Sequence, residues 1–285
     1  MARRLHVACV QLCSGLDVEA NVAHAAELVR AAAARGAAYV LTPENTSIMD
    51  EDKARVRARV GTMEEDAAVA AFSALARELG IHLHIGSLAL RVAGEERLAN
   101  RSILFGPDGG IIAWYDKIHL FDVSLGGGEE DYRESAYIRP GERAVTASLG
   151  GACLGFSICY DLRFAALYRA LAEAGAELFA VPAAFTVPTG RAHWHVLLRA
   201  RAIENGAFVL AAAQGGRHES GRATFGHSLI VSPWGEVLAE GEEAPGVIDA
   251  VIDLEQVADV RRRIPVLANA RDFSPPQGCR GRGGR

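Results

Sequence analysis

Residues 151–175 read GACLGFSICYDLRFAALYRALAEAG. The apolar run from Ala152 reads as a strand leading into Cys159. From Asp161 onward the apolar residues recur at helical spacing until Gly175, which suits a helix end. The spacing predicts a strand over 152–159 and a helix over 161–174, with Asp161 as N-cap. A strand that turns sharply into an amphipathic helix is the repeating unit of an α/β fold. The turn also puts a thiol beside a helix N-terminus. The partial positive charge there favours thiolate, and its free N–H groups can hold an oxyanion. This is the geometry of a nucleophile elbow, although G-x-S-x-G is absent. The competing reading, with equal weight on this segment alone, is a buried structural cysteine such as Cys9, Cys13 and Cys153 are taken to be.

Working outward, strand patterns fall at 5–12, 38–43, 81–90, 101–107 and 111–116, then at 144–149, 177–182, 208–214, 224–233 and 246–253. Helix patterns fall at 17–35, 63–80, 190–205 and 254–263. Asp17 and Glu19 open the first helix, as the macrodipole favours, and Gly36 follows its end. Many strands follow one another directly, as at 81–116. A purely parallel doubly wound sheet does not do that, so mixed sheets with helices packed outside are expected. No linker divides the chain. One domain over 1–273 is expected, with a disordered basic tail over 274–285, SPPQGCRGRGGR.

Half of the 285 residues are hydrophobic and 23% are charged, which allows a sizeable core without disulfide staples. The net charge of −5 argues against a general nucleic-acid or anionic-membrane binder. No apolar run approaches 18 residues, so no transmembrane span is expected. The N-terminal MARRLHVACVQL lacks a cleavage site and reads as a core strand rather than a signal peptide. Five scattered cysteines do not form a disulfide framework, and free thiols point to the cytoplasm. Of the 30 basic residues only Lys53 and Lys117 are lysines; the rest are arginines. Few groups can therefore supply an amine.

A nucleophilic thiol needs a base. Among nine histidines, His119 in DKIHLFD and His227 in TFGHS are the first candidates for a Cys–His pair. Glu44 in VLTPENT, after an apolar strand and Pro43, is another base. Lys117 ends a strand among apolar residues, whereas Lys53 in DEDKARVRAR reads as a solvated helix residue. His82 and His84 share one strand face, but His193 and His195 point about 200° apart on a helix. Spacing suggests no third ligand, and the cysteines fit no zinc pattern, so no metal site is expected.

Taken together, LTPE (Glu44), YDKIHLF (Lys117) and GFSICYDLRF (Cys159) resemble the signature of the nitrilase superfamily of carbon–nitrogen hydrolases. The resemblance continues through VPAAFTVPTGRAHWHVLLRARAIENGAFVLAAAQ and GHSLIVSPWGEVLAE, from about residue 4 to 265. It implies an α-β-β-α sandwich that dimerises, or assembles further, into an α-β-β-α-α-β-β-α particle. It also implies roles. Cys159 attacks the amide carbon, and Glu44 acts as general base. Lys117 and the Tyr160 N–H hold the oxyanion, and Glu134 orients the others. Neither a metal nor an organic cofactor is implied, and His119 becomes structural. CYDLRF, YRES, TGRAHW and LLRARAIEN look like the Nit branch, which holds omega-amidases and deaminated-glutathione amidases. That branch implies hydrolysis of a small carboxylated amide through a thioester, with release of ammonia. Arg163, Phe185 and Thr189 are the matching substrate-binding positions. The acidic, glycine-rich stretch 122–134 departs from the branch. The alternatives are a carbamoylase or nitrilase of the same superfamily, or a catalytically silent binding protein on this scaffold.

Overall fold

The computed structural model describes residues 3–124 and 131–275. The stretch 125–130 of the glycine-rich segment and residues 276–285 of the basic tail lie outside the described residues. The chain opens with β1 (Arg4–Gln11), α1 (Val18–Ala34) and β2 (Tyr39–Leu41). Next come α2 (Lys53–Arg59), α3 (Ala67–Leu79), β3 (His82–Leu90), β4 (Ala99–Phe105) and β5 (Ile111–Asp116). A short ribbon, β6 (Asp122–Ser124) and β7 (Asp131–Arg133), leads to the second half. There β8 (Thr146–Ser148), β9 (Cys153–Phe156), α4 (Ala165–Glu173), β10 (Leu178–Ala180), α5 (Val187–Asn205) and β11 (Phe208–Ala211) follow. A second ribbon, β12 (Gly215–Arg217) and β13 (Ala223–Phe225), precedes β14 (Leu229–Val231) and β15 (Val237–Glu240). Finally β16 (Gly246–Asp253) returns to the first sheet, and α6 (Glu255–Arg263) ends the regular structure.

Among the described residues two six-stranded sheets form, in the orders β16-β1-β2-β3-β4-β5 and β15-β14-β11-β10-β9-β8. Each is mixed, with a parallel centre (β1, β2, β3 and β9, β10, β11) flanked by antiparallel strands. The apolar run HVACV is buried on both faces. Val7 and Cys9 point into the layer between the sheets with Phe156 and Leu210, while Ala8 and Val10 meet α1 and α3 through Val29 and Phe72. On the far side Leu167, Leu171 and Leu198 pack α4 and α5 against the second sheet. The architecture is the expected α-β-β-α sandwich.

Among the boundaries that differ from the sequence reading, three have a clear local reason. The strand predicted over 152–159 stops at Phe156, because Cys159 sits in the left-handed region at φ +49°. The helix predicted from Asp161 starts as a 3₁₀ turn over Cys159–Arg163, and the α-helix begins at Ala165 with Phe164 as N-cap. Asp161 is not that helix's cap; its carboxylate accepts the Ile158 N–H at 2.8 Å instead. The strand predicted over 224–233 is broken at Gly226 and His227, both with positive φ, into β13 and β14. Helix α2, capped by Asp52, carries the charged stretch DEDKARVRAR that the sequence reads as helical without bounds.

The buried His84 gives the fold a pH dependence. Its ring pairs with Tyr39 Oη at 2.7 Å and Ser102 Oγ at 2.7 Å, so both nitrogens are engaged inside the core. Burial lowers its pKa to about 3. The unfolded chain therefore binds a proton that the native chain refuses, and stability is lost as pH falls below the unfolded value near 6.5. Between pH 7 and pH 5 this one group costs about 2 kcal/mol. Urea denaturation at the two pH values should show a drop larger by that amount in the natural chain than in His84→Gln. Equal drops in both would remove His84 as the cause.

Candidate active site

The carboxyl ends of the parallel strands in both sheets meet at one edge, where open α/β sheets generally place ligands. Glu44 leaves the end of β2, and Asn45 after it takes a left-handed conformation at φ +56°. That loop lies against β3 at Gly86. A Cβ there would meet Thr42 O at 2.0 Å and Pro43 O at 2.6 Å, so only glycine permits the approach. Lys117 follows β5 directly, Glu134 opens a 3₁₀ turn after β7, and Cys159 follows β9. The left-handed Cys159 thrusts its side chain into the cleft, a strained conformation costing roughly 1–2 kcal/mol that the surroundings must impose.

The bracing comes from Asp161, which is fully buried. Its carboxylate accepts from Ile158 N–H, from Tyr115 Oη–H at 2.7 Å and from His119 N–H at 3.0 Å, and it pairs with His119 Nδ1 at 2.7 Å. Tyr115 and His119 flank Lys117 in sequence, so one carboxylate ties the cysteine elbow to the lysine strand end. His119 also stacks on Phe164 at 3.5 Å. It is not among the residues lining the cavity at Cys159.

Within the cavity Lys117 Nζ donates to Glu44 Oε1 at 2.9 Å and to Glu134 Oε2 and Oε1 at 2.8 and 3.1 Å. Glu44 Oε2 accepts the Ala184 N–H at 3.1 Å, and Glu134 Oε2 accepts the Phe121 N–H at 2.7 Å. The Cys159 thiol hydrogen-bonds Glu44 and lies against the Ala184 N–H. All four side chains are buried. Burial opposes the Lys117 charge, but Glu134 and Glu44 hold its pKa well above the ordinary lysine value. Burial also opposes the Glu44 charge, yet Lys117 keeps that carboxyl below its usual range. The Cys159 thiol is pushed up, first by burial and then by the Glu44 charge. The resting site thus holds a neutral thiol beside a carboxylate. That corrects the expectation of a thiolate favoured by the helix N-terminus, because burial and then the Glu44 charge outweigh the dipole.

Glu44, Lys117, Glu134, Cys159, Tyr160, Arg163, Phe185 and Thr189 all line this one cavity. Tyr160 lies in the first turn of the 3₁₀ segment, where N–H groups lack intrahelical acceptors. Phe185 packs on Trp194 at 4.8 Å, and the Arg163 guanidinium lies 5.5 Å from the Phe185 ring centroid. Thr189 Oγ1 pairs with Thr186 Oγ1 at 2.8 Å. His227 lies elsewhere, 3.1 Å from Glu240. His195 also meets Glu240, at 2.8 Å, whereas His193 meets Arg163 at 3.2 Å. The ligand atoms of His195, His227 and Glu240 lie within 4.8 Å of one another, a grouping across α5 and β15 that sequence spacing does not suggest. Lys53 corrects its sequence reading: it is half-buried, donates to the Asp50 carbonyl at 2.9 Å and lies 4.5 Å from the Tyr137 ring centroid.

Sequence reasoning missed Asn100. Its side-chain amide donates to Glu44 Oε1 at 3.0 Å and Glu134 Oε1 at 3.2 Å, and its backbone carbonyl accepts the Lys117 backbone N–H at 3.0 Å. The available signal was an amide inside the apolar strand ANRSILF, since buried polar groups require partners. Asn100→Leu should reduce kcat/KM by about ten- to a hundredfold, since two buried acceptors each lose a donor. It should also move the acid limb of the pH–rate profile upward, because the Asn100 bond helps hold the Glu44 pKa down. Loss of activity with an unmoved limb would mean that Asn100 only supports the fold.

The profile of the carbon–nitrogen hydrolase family matches residues 6–262. A deaminated glutathione amidase from Yersinia enterocolitica is 37% identical over 274 residues, covering 95% of each chain. An omega-amidase from Homo sapiens is 36% identical over 251 residues, covering 88% of this chain and 89% of the relative. The crystal structure of the C. elegans NitFhit protein superposes with a TM-score of 0.87 at 34% identity. That match covers 95% of this chain, which spans 66% of the NitFhit chain. Among the described residues no helix is long and apolar enough to cross a membrane.

Proposed function

The chain belongs to the carbon–nitrogen hydrolase family, and from that premise we propose that it is an amidase with Cys159 as nucleophile and Glu44 as general base. Lys117 serves as oxyanion partner and Glu134 as the residue that positions the lysine. The observation that carries this reading is the buried ammonium of Lys117 clamped between two carboxylates beside a protonated thiol. Cys159 Sγ attacks the amide carbon while its proton passes to Glu44. The oxyanion develops beside the Lys117 ammonium and the Tyr160 N–H, donors already in place before charge appears. Glu44 then protonates the leaving nitrogen, and the C–N bond breaks to give a thioester. A water gives its proton to Glu44 and its oxygen to the acyl carbon. The proton returns to the departing sulfur, and the carboxylic acid leaves.

The substrate class follows from the cations and the relatives together. Arg163, half-buried and one turn beyond Cys159, suits a carboxylate close to the scissile carbon. The deaminated glutathione amidase and omega-amidase relatives support a small amide bearing a 2-oxo acid. Ammonia leaves when that amide is primary. The glutathione-derived amide is secondary, so there the leaving group is cysteinylglycine. Release of 2-oxoglutarate therefore tests both substrates in one assay, and its absence from deaminated glutathione and 2-oxoglutaramate alike would overturn the reading. A homodimer in the cytoplasm is part of the same proposal. Exposed Val196, Ile203 and Trp234 support the first, and the free thiols of Cys9, Cys13 and Cys153 the second. Light scattering at the mass of a single chain would remove the dimer.

A further inference from the structure

A second chamber adjoins the catalytic cavity. Asn45, Glu134, Tyr137 and Arg222 line both, and Lys53, Asp50, Met49 and Asn100 line only the second. Arg222 is half-buried; its Nη2 donates to the Ala184 carbonyl at 2.9 Å, its Nη1 to Met49 Sδ at 4.0 Å, and its guanidinium lies 5.6 Å from the Tyr132 ring centroid. Its Nε is buried without a hydrogen-bond partner. Lys53 approaches the same chamber from α2, its ammonium held by the Asp50 carbonyl and the Tyr137 ring. Asp50 itself is engaged by Arg55. Among the described residues no carboxylate lies within 4.0 Å of Arg222, Lys53 or Arg163. Glu134, which also lines the second chamber, is engaged by Lys117, and the exposed Glu51 acts on Lys53 from beyond ion-pair distance. Arg222 and Lys53 thus face the chamber with no carboxylate in direct contact, an unfavourable state for half-buried cations unless something else supplies that contact.

We propose that Arg222 and Lys53 form a second carboxylate subsite, so that the preferred substrate carries one carboxylate on each side of the scissile amide. The assignment rests on the amidase reading. The two ends are told apart by reach. Arg163 lies four residues after the nucleophile and lines only the catalytic cavity, which suits the short acyl arm. Arg222 and Lys53 line a chamber that does not include Cys159, which suits the longer amine arm. In deaminated glutathione the acyl arm ends in the 2-oxo acid, and the amine arm ends in the glycine carboxylate two bonds further out. An omega-amide of a 2-oxo acid has only the first of these. The subsite therefore selects the glutathione-derived class over the simple omega-amide. Guanidinium is suited to grip both carboxylate oxygens, and the lysine adds charge behind it.

The test uses the full chain and two substrates, deaminated glutathione and its C-terminal glycinamide, which differ by one carboxylate. In the natural chain kcat/KM should favour the acid by at least about tenfold, the scale of one charge-assisted hydrogen bond. Arg222→Met should erase most of that preference through KM. Lys53→Met should do the same to a smaller degree, and Arg222→Lys should restore part of it. Equal losses on the two substrates, or no natural preference for the acid, would overturn the subsite. Calorimetric binding of deaminated glutathione to Cys159→Ala, with and without Arg222→Met, separates this from the amidase reading. Arg222-dependent binding to Cys159→Ala, with no turnover of deaminated glutathione by the natural chain, would keep the subsite and sink the amidase. Turnover with Arg222-independent binding would do the reverse. Melting curves of each variant guard against a fold defect, and Lys53→Met, on the short surface helix α2, is the less disruptive of the two.

Discussion

Lys117→Arg should reduce kcat/KM by about a thousandfold, the scale for losing a preorganised oxyanion donor, although the formal charge is unchanged. The Lys117 ammonium is only 2% exposed and makes bonds of 2.8–3.1 Å to both carboxylates. A compact ammonium fits that space with a donor direction left for an oxyanion. A planar guanidinium has a fixed fork and a larger head, so it must displace Glu44, Glu134 or the strand end that carries it. Overpacking of this kind costs about 1–3 kcal/mol of stability, so the variant should still fold at room temperature. Lys117→Met behaves differently. It leaves two buried carboxylates without their cation and should lose about 3–5 kcal/mol of stability as well as activity. Near-natural turnover by Lys117→Arg would show that the amine as such is not needed, and the proposed oxyanion site would fall with it. Thermal melts beside steady-state kinetics separate the two effects.

Glu44→Gln should reduce kcat by roughly a thousandfold or more, near the upper range for a lost general base, and should change the kinetic form. The neutral thiol of Cys159 cannot release its proton unaided, because burial and the neighbouring carboxylate both push its pKa up. Gln retains the shape and can still accept the Ala184 N–H or the Lys117 ammonium, but it takes no proton from sulfur or from water. Any acyl-enzyme that forms should therefore persist and appear in intact-protein mass spectra as an adduct on Cys159. In the natural chain the carboxylate form must be present. Since Lys117 holds the Glu44 carboxyl below its usual range, activity should persist down to about pH 4.5 before the acid limb begins. Stability that depends on the charged Glu44 follows the same sign, present above its unfolded pKa and lost as pH falls through the folded one. A limb centred near pH 6.5, combined with full activity in Glu44→Gln, would instead indicate a histidine base.

Much of this was legible along the chain. The strand positions followed from apolar runs such as HVACV, and the mixed sheets followed from consecutive strands without helices between them. The three residues proposed to react each stand where a strand ends, Glu44 after Pro43, Lys117 after Asp116 and Cys159 before an amphipathic helix, but only the family resemblance of the three segments together singled them out. Chemistry-bearing side chains concentrate at strand ends because the backbone leaves the ladder there. Boundaries were less legible where side chains compete with the backbone. Asp161 reads as an N-cap by composition, yet in three dimensions it finds Ile158, Tyr115 and His119.

The layered order came from the family resemblance; the sequence by itself determined an α/β fold with mixed sheets and helices outside, and which residue types stand at strand ends. Those properties depend on period, turn chemistry and neighbours a few residues apart, all local in the chain. Only the tertiary structure decided that Lys117 is shared by two carboxylates, that Cys159 rests as a thiol, that Asn100 bridges the acids, and that Arg222 and Lys53 face one chamber. These are sums of burial and charge over groups 17 or more residues apart, as between Lys117 and Glu134 or, at 140 residues, Glu44 and Ala184. Such sums do not exist until the two sheets have closed and water has left the space between them.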